Sequence, residues 1–116
     1  MLEHRKEPSR LARVSSEIRK TLAAELNEIG RNNKLGIASV TCVDTSPDLR
    51  NATVYVSVFG SDQQAEKYIE IVNQSSASLQ KIISKRLRLK RTPSLQFVLD
   101  DVLNIEARLK ELLRSP

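Results

Sequence analysis

Residues 37–59 of the chain have the sequence IASVTCVDTSPDLRNATVYVSVF, and this stretch decides the fold. Residues 37–43 are rich in β-branched side chains, which favours a β-strand. Residues 52–59 alternate, which assigns one sheet face to Ala52, Val54, Val56 and Val58 and the other to Thr53, Tyr55, Ser57 and Phe59. Because residues 44–48 between them are dense in turn formers, the stretch predicts an antiparallel hairpin with a long loop.

A helical pattern precedes this hairpin. From residue 9 to residue 29, apolar side chains recur at helical spacing along one stripe, which comprises Leu11, Val14, Ile18, Leu22, Leu26 and Ile29. Ser9 is a suitable first residue for this helix, and Gly30 is expected to end it.

A second helical region follows the hairpin. Ser61 and Gln64 have the spacing of a capping box, and the helical pattern continues until Thr92-Pro93. The short polar side chains of residues 75–78 are poor helix formers. They predict a kink that divides the region into two helices.

The last patterns complete a single α+β domain. Leu95, Phe97 and Leu99 alternate with less apolar neighbours and predict a third strand. The order is then α-β-β-α-α-β, with the helices on one face of a three-stranded sheet. We assign residues 9–100 to this domain and residues 1–8 to a flexible N-terminus. Residues 101–116 are expected to form a C-terminal helical tail with an apolar stripe of Ile105, Leu109, Leu112 and Leu113.

The charge of the chain suggests a polyanionic partner. Nineteen Lys and Arg residues against fourteen Asp and Glu give a net charge of +5 and a pI near 9.7. This balance is typical of proteins that bind RNA, DNA or an anionic membrane surface. Cys42 is the only cysteine, which excludes an internal disulfide and a cysteine-based metal cluster. Without an apolar run of signal-peptide or membrane-span length, we expect a cytoplasmic protein.

Cationic side chains are concentrated between Glu70 and Asp100, where no acidic residue occurs. On a helical wheel, Lys81, Lys85 and Arg88 form one stripe opposite an apolar side. An ordinary surface helix also has a charged outer face, but it usually mixes Glu with its cations. The absence of any counter-charge therefore favours a phosphate-binding surface composed of Lys81, Lys85, Arg86, Arg88, Lys90 and Arg91.

The small residues Ser75, Ser76 and Ala77 form a second candidate point of contact. They would leave backbone N–H groups uncovered at the start of the second helix, where the helix dipole also favours an anion. A phosphate could approach closely there. A plain kink packed against a neighbouring element explains the same residues equally well, and both interpretations stay open.

The residues give little support to catalysis. His4 is the only histidine and lies near the N-terminus, and Cys42 has the strand position of a small core side chain. The pair Asp100-Asp101 follows a strand, which is more typical of a turn or a helix N-cap than of a nuclease metal site. No glycine-rich phosphate loop or metal-ligand spacing occurs. We therefore expect a non-enzymatic protein without cofactor, metal or small-molecule substrate.

Three stretches of the chain carry a resemblance to one family. Residues 46–56 resemble its Ser-x-Asp-Leu-x-x-Ala-x-Val-Tyr-Val segment, residues 86–97 its Leu-Arg-x-x-Pro-x-Leu-x-Phe segment, and residues 11–26 its first helix. The family is that of ribosome-binding factor A. Its fold is similar to a type II KH domain, which the predicted element order resembles. In place of the family's Ala-x-Gly interhelical kink, the aligned residues here are Ser75, Ser76 and Ala77.

This resemblance implies an assembly factor for the small ribosomal subunit. Such a factor is expected to bind the free subunit and its rRNA as a monomer, and it is not expected to bind a membrane. It would assist late maturation, including processing of the 5′ end of the small-subunit rRNA, and would support growth in the cold. The implied RNA-binding residues are Ser75, Ser76, Ala77, Lys81, Lys85, Arg86, Arg88, Lys90 and Arg91.

Other functions stay open on the residues alone. A generic single-stranded RNA-binding module without ribosome specificity fits the same charges. A basic module for anionic membrane surfaces and an RNA-cleaving enzyme are further alternatives. Three more cations are Arg10, Arg13 and Arg50. For these we favour the interpretation as solvated surface charges over the alternative that they contact RNA.

Overall fold

The computed structural model describes residues 10–100, which fold as three helices and three strands. In chain order these are α1 Arg10–Asn32, β1 Ala38–Thr45, β2 Asn51–Val58, α2 Asp62–Gln74, α3 Ser76–Leu87 and β3 Ser94–Leu99. The predicted α-β-β-α-α-β order is confirmed. The expected N-terminal extension, Ser9, His4, Asp101 and the predicted C-terminal helix all lie outside the described residues.

The strands form one mixed sheet in the order β1-β2-β3. The first two strands are antiparallel, as the hairpin pattern predicts, and β3 returns parallel to β2 after the helical crossover. The hairpin loop is shorter than expected and spans residues 46–50, since Asp44 and Thr45 extend β1 instead of turning. Parallel pairing of Asn51 with Ser94 places the start of β3 beside the end of this loop.

The helices cover one face of the sheet. The predicted alternation in β2 is confirmed for Ala52, Val54 and Val56, which are all buried in one cluster with residues of every helix. At the end of the strand, Ser57 is also buried and Val58 is half-buried. The helical residues in this cluster are Val14, Ile18, Leu22, Leu26, Tyr68, Val72, Leu79 and Ile83. Fully burying an aliphatic side chain of this size contributes roughly 1.5–3 kcal/mol, so the layer of helices on the sheet is the main source of stability.

Cys42 is exposed, which makes the prediction of a core cysteine wrong. The cause is a β-bulge: the register shifts between Val40 and Cys42, so Thr41 is an extra residue in β1. A one-residue insertion reverses which face each following side chain occupies, and Val43 is buried in place of Cys42. The Thr41 hydroxyl donates to the Asp100 carboxylate and lies 3.2 Å from the Tyr55 carbonyl oxygen, which holds the bulge in place.

Gly30 does not end α1, which corrects the prediction made from the sequence. The helix continues to Asn32, and Gly30 is a buried residue inside it. A Cβ atom there would lie 3.2 Å from the Gly36 carbonyl oxygen and 3.3 Å from the Tyr68 ring. The glycine therefore serves the close packing of α1 on α2, and the Tyr68 hydroxyl donates a 2.6 Å hydrogen bond to the Leu26 carbonyl beside it. Burial also raises the pKa of the Tyr68 phenol.

The predicted capping box and kink are both confirmed. The Ser61 side chain accepts from the Gln64 N–H at 3.1 Å, and the Gln64 side chain accepts from the Ser61 N–H at 2.8 Å. Ser75 separates α2 from α3 with backbone angles of −93° and 5°. The second helical region is thus two helices of 13 and 12 residues.

The end of α3 differs from the prediction. The helix was expected to continue to Thr92-Pro93, but it stops at Leu87, and Arg88 adopts the left-handed conformation with φ of 53°. The half-buried Leu89 packs against the core and Pro93 is fully buried. The chain leaves the helical path at Arg88, five residues before Pro93, which has no N–H to donate within a helix.

Candidate nucleic-acid interface

Helix α3 presents three cations to solvent. Lys81, Lys85 and Arg86 are exposed, while Leu79 and Ile83, opposite Lys81 and Lys85 on the helix, are buried in the core. This sidedness follows from the sequence, because the apolar residues of α3 recur at helical spacing. Lys85 and Arg86 also lie in the last turn, where positive side chains interact favourably with the helix dipole.

The segment from Arg88 to Arg91 continues this charge beyond the helix. Arg88, Lys90 and Arg91 are exposed, and Leu89 between them is turned toward the core. The helical wheel predicts that Arg88 continues the stripe of Lys81 and Lys85, but this prediction is wrong. Arg88 is the residue that caps the helix, and its N–H donates to the Ser84 carbonyl at 2.9 Å. Its positive charge lies on the loop that follows.

We name Lys81, Lys85, Arg86, Arg88, Lys90 and Arg91 together the cationic surface. Within the described residues, none of the six forms an ion pair, although three other cations do. Those three pairs are Lys20–Glu17, Arg31–Glu28 and Arg50–Asp48. Cations without counter-charges produce a positive potential that salt bridges would cancel, which is the electrostatic pattern of a candidate polyanion-binding surface.

The kink itself is held by internal hydrogen bonds. The Ser75 N–H donates to the carbonyls of Ile71 and Val72, both at 3.1 Å, and its hydroxyl lies 3.2 Å from the Ile71 carbonyl. Ser75 and Ser76 are half-buried, whereas Ala77 is exposed. The Ser75 side chain does not cap α3. An incoming phosphate would therefore meet Ala77 first, and the role of the three kink residues in RNA binding stays a prediction.

Two side-chain amides position the cationic surface, and sequence analysis missed both. Asn73 at the end of α2 pairs with both backbone groups of Phe97: it donates to the carbonyl at 3.0 Å and accepts from the N–H at 2.9 Å. Gln80 of α3 donates to the Thr92 carbonyl at 2.9 Å. Asn73 thereby ties the end of α2 to β3, and Gln80 ties α3 to the segment just before β3. Polar residues on helices are common, so their spacing gave no signal of these contacts.

The described residues contain no group of three or more His, Cys, Asp or Glu side chains that could hold a metal ion. Asp100, one of the paired aspartates, instead accepts a hydrogen bond from the Thr41 hydroxyl. Over the same part of the chain, no helix is long and apolar enough to cross a membrane.

Comparisons with known proteins agree on one family. The family model described as ribosome-binding factor A matches residues 10–113. The chain is 35% identical over 106 residues to ribosome-binding factor A of Thermomicrobium roseum, and the alignment covers 91% of this chain and 82% of the relative.

Solved structures show the same fold. The crystal structure of ribosome-binding factor A from Thermus thermophilus has a TM-score of 0.68 at 23% identity, over 78% of this chain and 97% of that one. A homology model of the Thermus thermophilus protein, fitted into the cryo-EM map of a 30S complex, has a TM-score of 0.63 at 23% identity. That match covers 74% of this chain and 90% of the fitted one. With the family model matching most of its length, this chain belongs to the ribosome-binding factor A family.

Proposed function

We propose that this protein binds the free small ribosomal subunit through its rRNA, and that the cationic surface makes the contact. The single observation that carries this proposal is a run of six exposed cations on α3 and the following loop without an ion pair among the described residues. Membership of the ribosome-binding factor A family supports the choice of partner. A structural relative that has been fitted into a 30S complex supports it further.

The contact is made to the sugar-phosphate backbone and not to bases. Stacking on bases requires exposed aromatic rings, which are present on the sheets of RNA-recognition domains. In the described residues, the exposed aromatic is Phe59, which lies after β2 and not on the cationic surface. Lys and Arg side chains that contact phosphates fix the position of a protein on RNA without reading its sequence. Specificity for the small subunit then comes from the shape of the folded rRNA.

The biological role that we assign is late maturation of the small subunit, including processing of the 5′ end of its rRNA, in the cytoplasm and during growth in the cold. In this role the protein is a monomeric, non-catalytic factor with a type II KH-like domain, and separate nucleases trim the RNA. The protein binds and orients the RNA, for which the cationic surface is sufficient. Cleavage of precursor rRNA by the pure protein in magnesium would contradict this assignment.

A triple charge reversal tests the function. Lys81, Lys85 and Arg88 are replaced by Glu in the full chain, and co-sedimentation with purified free small subunits is measured. Each lost phosphate contact is expected to weaken binding about fivefold at about 0.1 M salt, so three losses reduce affinity by more than about a hundredfold. Reversal of Lys85 also opposes the helix dipole, which costs about 0.3–1 kcal/mol of stability, and circular dichroism must show an intact fold.

Lys34→Glu is the matched control. Lys34 is equally exposed and lies after the C-terminal end of α1, away from the cationic surface. It should bind small subunits as the parent protein does. A folded triple variant that still co-sediments would contradict the proposed function. Equal binding of the parent protein to small subunits and to unrelated single-stranded RNA would favour the generic RNA-binding module instead.

A further inference from the structure

The hairpin loop lies beside the end of the cationic surface. The Ser94 N–H donates to the Arg50 carbonyl at 2.8 Å, so the backbones of the two segments are in direct contact. Arg91 lies three residues before Ser94, and three residues of extended chain span at most about 11 Å. Arg50 and Arg91 therefore lie at the same end of the sheet, although they are 41 positions apart in the sequence.

The start of α1 joins the same place. Arg10 and Leu11 border one shallow surface cavity together with Pro47 and Leu49 of the hairpin loop. The Ser15 hydroxyl donates to the Thr45 hydroxyl at 2.8 Å, which holds the first turns of α1 against the end of β1. The exposed Arg10 is thus held next to the loop by the fold itself. We name Arg10 and Arg50 the hairpin arginines.

The backbone of the hairpin loop, which carries Arg50, is held by internal hydrogen bonds. Its Ser46 hydroxyl donates to Asp48 at 2.7 Å and accepts from the Asn51 N–H at 3.0 Å. The Arg50 N–H donates to the same Asp48 carboxylate at 3.0 Å. The Ser46 hydroxyl, followed by the Arg50 N–H, lowers the pKa of the Asp48 carboxyl, which keeps it ionised. Leu49 packs against the core from within the loop.

One ion pair competes for Arg50, and it is weak. The Arg50 Nε atom lies 3.7 Å from Asp48 Oδ2, with both side chains more than half exposed. Exposed pairs of this kind contribute roughly 0–1 kcal/mol. Since a guanidinium has five N–H donors in a planar fork, most of them stay available to a phosphate.

We propose that the RNA-contacting surface continues from α3 across the loop that ends at Arg91 and onto the hairpin arginines. The inference rests on the proposed function and extends it: the ligand is a folded RNA whose phosphates contact both α3 and the hairpin end of the domain. From the residues alone, Arg10 and Arg50 are favoured as solvated surface charges, and they lie far apart along the chain. The fold brings them to the same end of the domain as Arg91.

The test uses a double variant, Arg10→Gln and Arg50→Gln, in the full chain. Gln keeps a long polar side chain and leaves the backbone hydrogen bond from residue 50 to Asp48 intact. Binding to purified free small subunits is measured at several salt concentrations. Loss of two phosphate contacts should weaken binding on the order of twentyfold at about 0.1 M salt, and should reduce the slope of log affinity against log salt by about 1.4.

Two further variants separate the possible outcomes. Arg10→Lys with Arg50→Lys keeps both charges and should keep the parent salt slope, whereas Lys34→Gln should alter neither affinity nor slope. An unchanged slope in the folded Gln variant overturns this inference, whether or not affinity falls, because contacts to phosphate must release counterions. If the triple reversal on α3 and its loop abolishes binding at the same time, the proposed function stands and only its extension fails.

Discussion

The two ends of the sheet differ in charge. At the hairpin end, the loop of residues 46–50, the start of β3 and the end of α3 meet, and Arg10, Arg50, Arg88, Lys90 and Arg91 are all exposed. At the opposite end, the exposed charges include Lys34 and Asp62, which have opposite signs. The Phe59 N–H donates to the Ile37 carbonyl at 2.9 Å there, and Phe59 and Ile37 are 56% and 72% exposed. The 23 residues of α1 span about 35 Å between the ends.

This uneven distribution of charge would orient the protein relative to a polyanion. A polyanion would be attracted to the hairpin end and to α3, and the opposite end would then face away from the RNA. Net charge alone could not produce this orientation, because +5 spread evenly over the surface attracts RNA to every side equally. The arrangement of the cations carries more information than their number.

Both ends contain turns with unusual backbone conformations. The opposite end uses Gly60 with φ of 144° and Gly36, where a Cβ atom would lie 2.6 Å from the Phe59 carbonyl oxygen, and it also holds Lys34 in the left-handed region at φ of 54°. The hairpin end places Leu49 and Arg88 in the left-handed region at φ of 60° and 53°. That conformation costs an ordinary residue roughly 1–2 kcal/mol more than the right-handed one. In return, Leu49 keeps its contact with the core and Arg88 keeps an exposed charge.

The largest effect on stability is expected at Gly36. In Gly36→Ala the new methyl group would collide with the backbone of Phe59, which cannot move without disturbing the end of β2. We expect the free energy of unfolding to fall by about 1–3 kcal/mol, as for other overpacked sites. Urea denaturation measures the change. RNA affinity of the folded fraction should not change, since this end carries no proposed contact.

Ile37→Ala is the control for this substitution. Ile37 is the next residue, but its side chain is exposed. The free energy of unfolding should therefore fall by less than about 0.5 kcal/mol. If Gly36→Ala were as stable as Ile37→Ala, the account of the glycine turns at this end would be wrong. If it weakened RNA binding of folded protein, the functional contrast between the ends would be wrong.

A smaller effect, and of opposite sign, is expected at Arg88. Arg88→Gly removes the left-handed strain of a residue with a side chain, and glycine is the usual residue after a helix end. Part of the gain is lost because glycine is more flexible in the unfolded chain, which leaves about 0.5–1 kcal/mol of added stability. The same change removes one cation, so affinity for small subunits should fall about fivefold at about 0.1 M salt.

This variant sharpens the comparison because stability and binding should move in opposite directions. Arg88→Lys is its control: it keeps the charge and the strained backbone, and should match the parent protein in both measurements. A less stable Arg88→Gly protein would show that the Arg88 side chain stabilises the fold. A more stable one with full affinity would remove Arg88 from the contact surface.

The sequence predicted the element order well because each element has a local cause. Three features depend only on residues a few positions away in the sequence. They are the alternation in β2, the capping box at Ser61 and the poor helix formers around Ser75. The bulge at Thr41 and the end of α3 have causes elsewhere in the chain. The bulge depends on Asp100 across the sheet, and after Leu87 the chain leaves the helical path, with Leu89 packed against the core and Pro93 buried. No short window of sequence contains these contacts.

The candidate site was predictable to a similar extent. The cations of α3 and its loop are adjacent in the sequence, and their lack of acidic neighbours was visible there. Their continuity with Arg50 depends on the parallel pairing of β2 with β3, which a pattern of residues does not specify. The positioning contacts of Asn73 and Gln80 likewise join segments that are separate in the chain.

The salt dependence of binding tests the central claim most directly. Affinity of the full chain for purified free small subunits is measured between about 50 and 300 mM salt. If the six cations of the cationic surface contact phosphates as in single-stranded RNA, log affinity falls against log salt with a slope of about −4, and the hairpin arginines steepen it further. A flat salt response would contradict the account, since binding would then not depend on cations that release counterions from RNA.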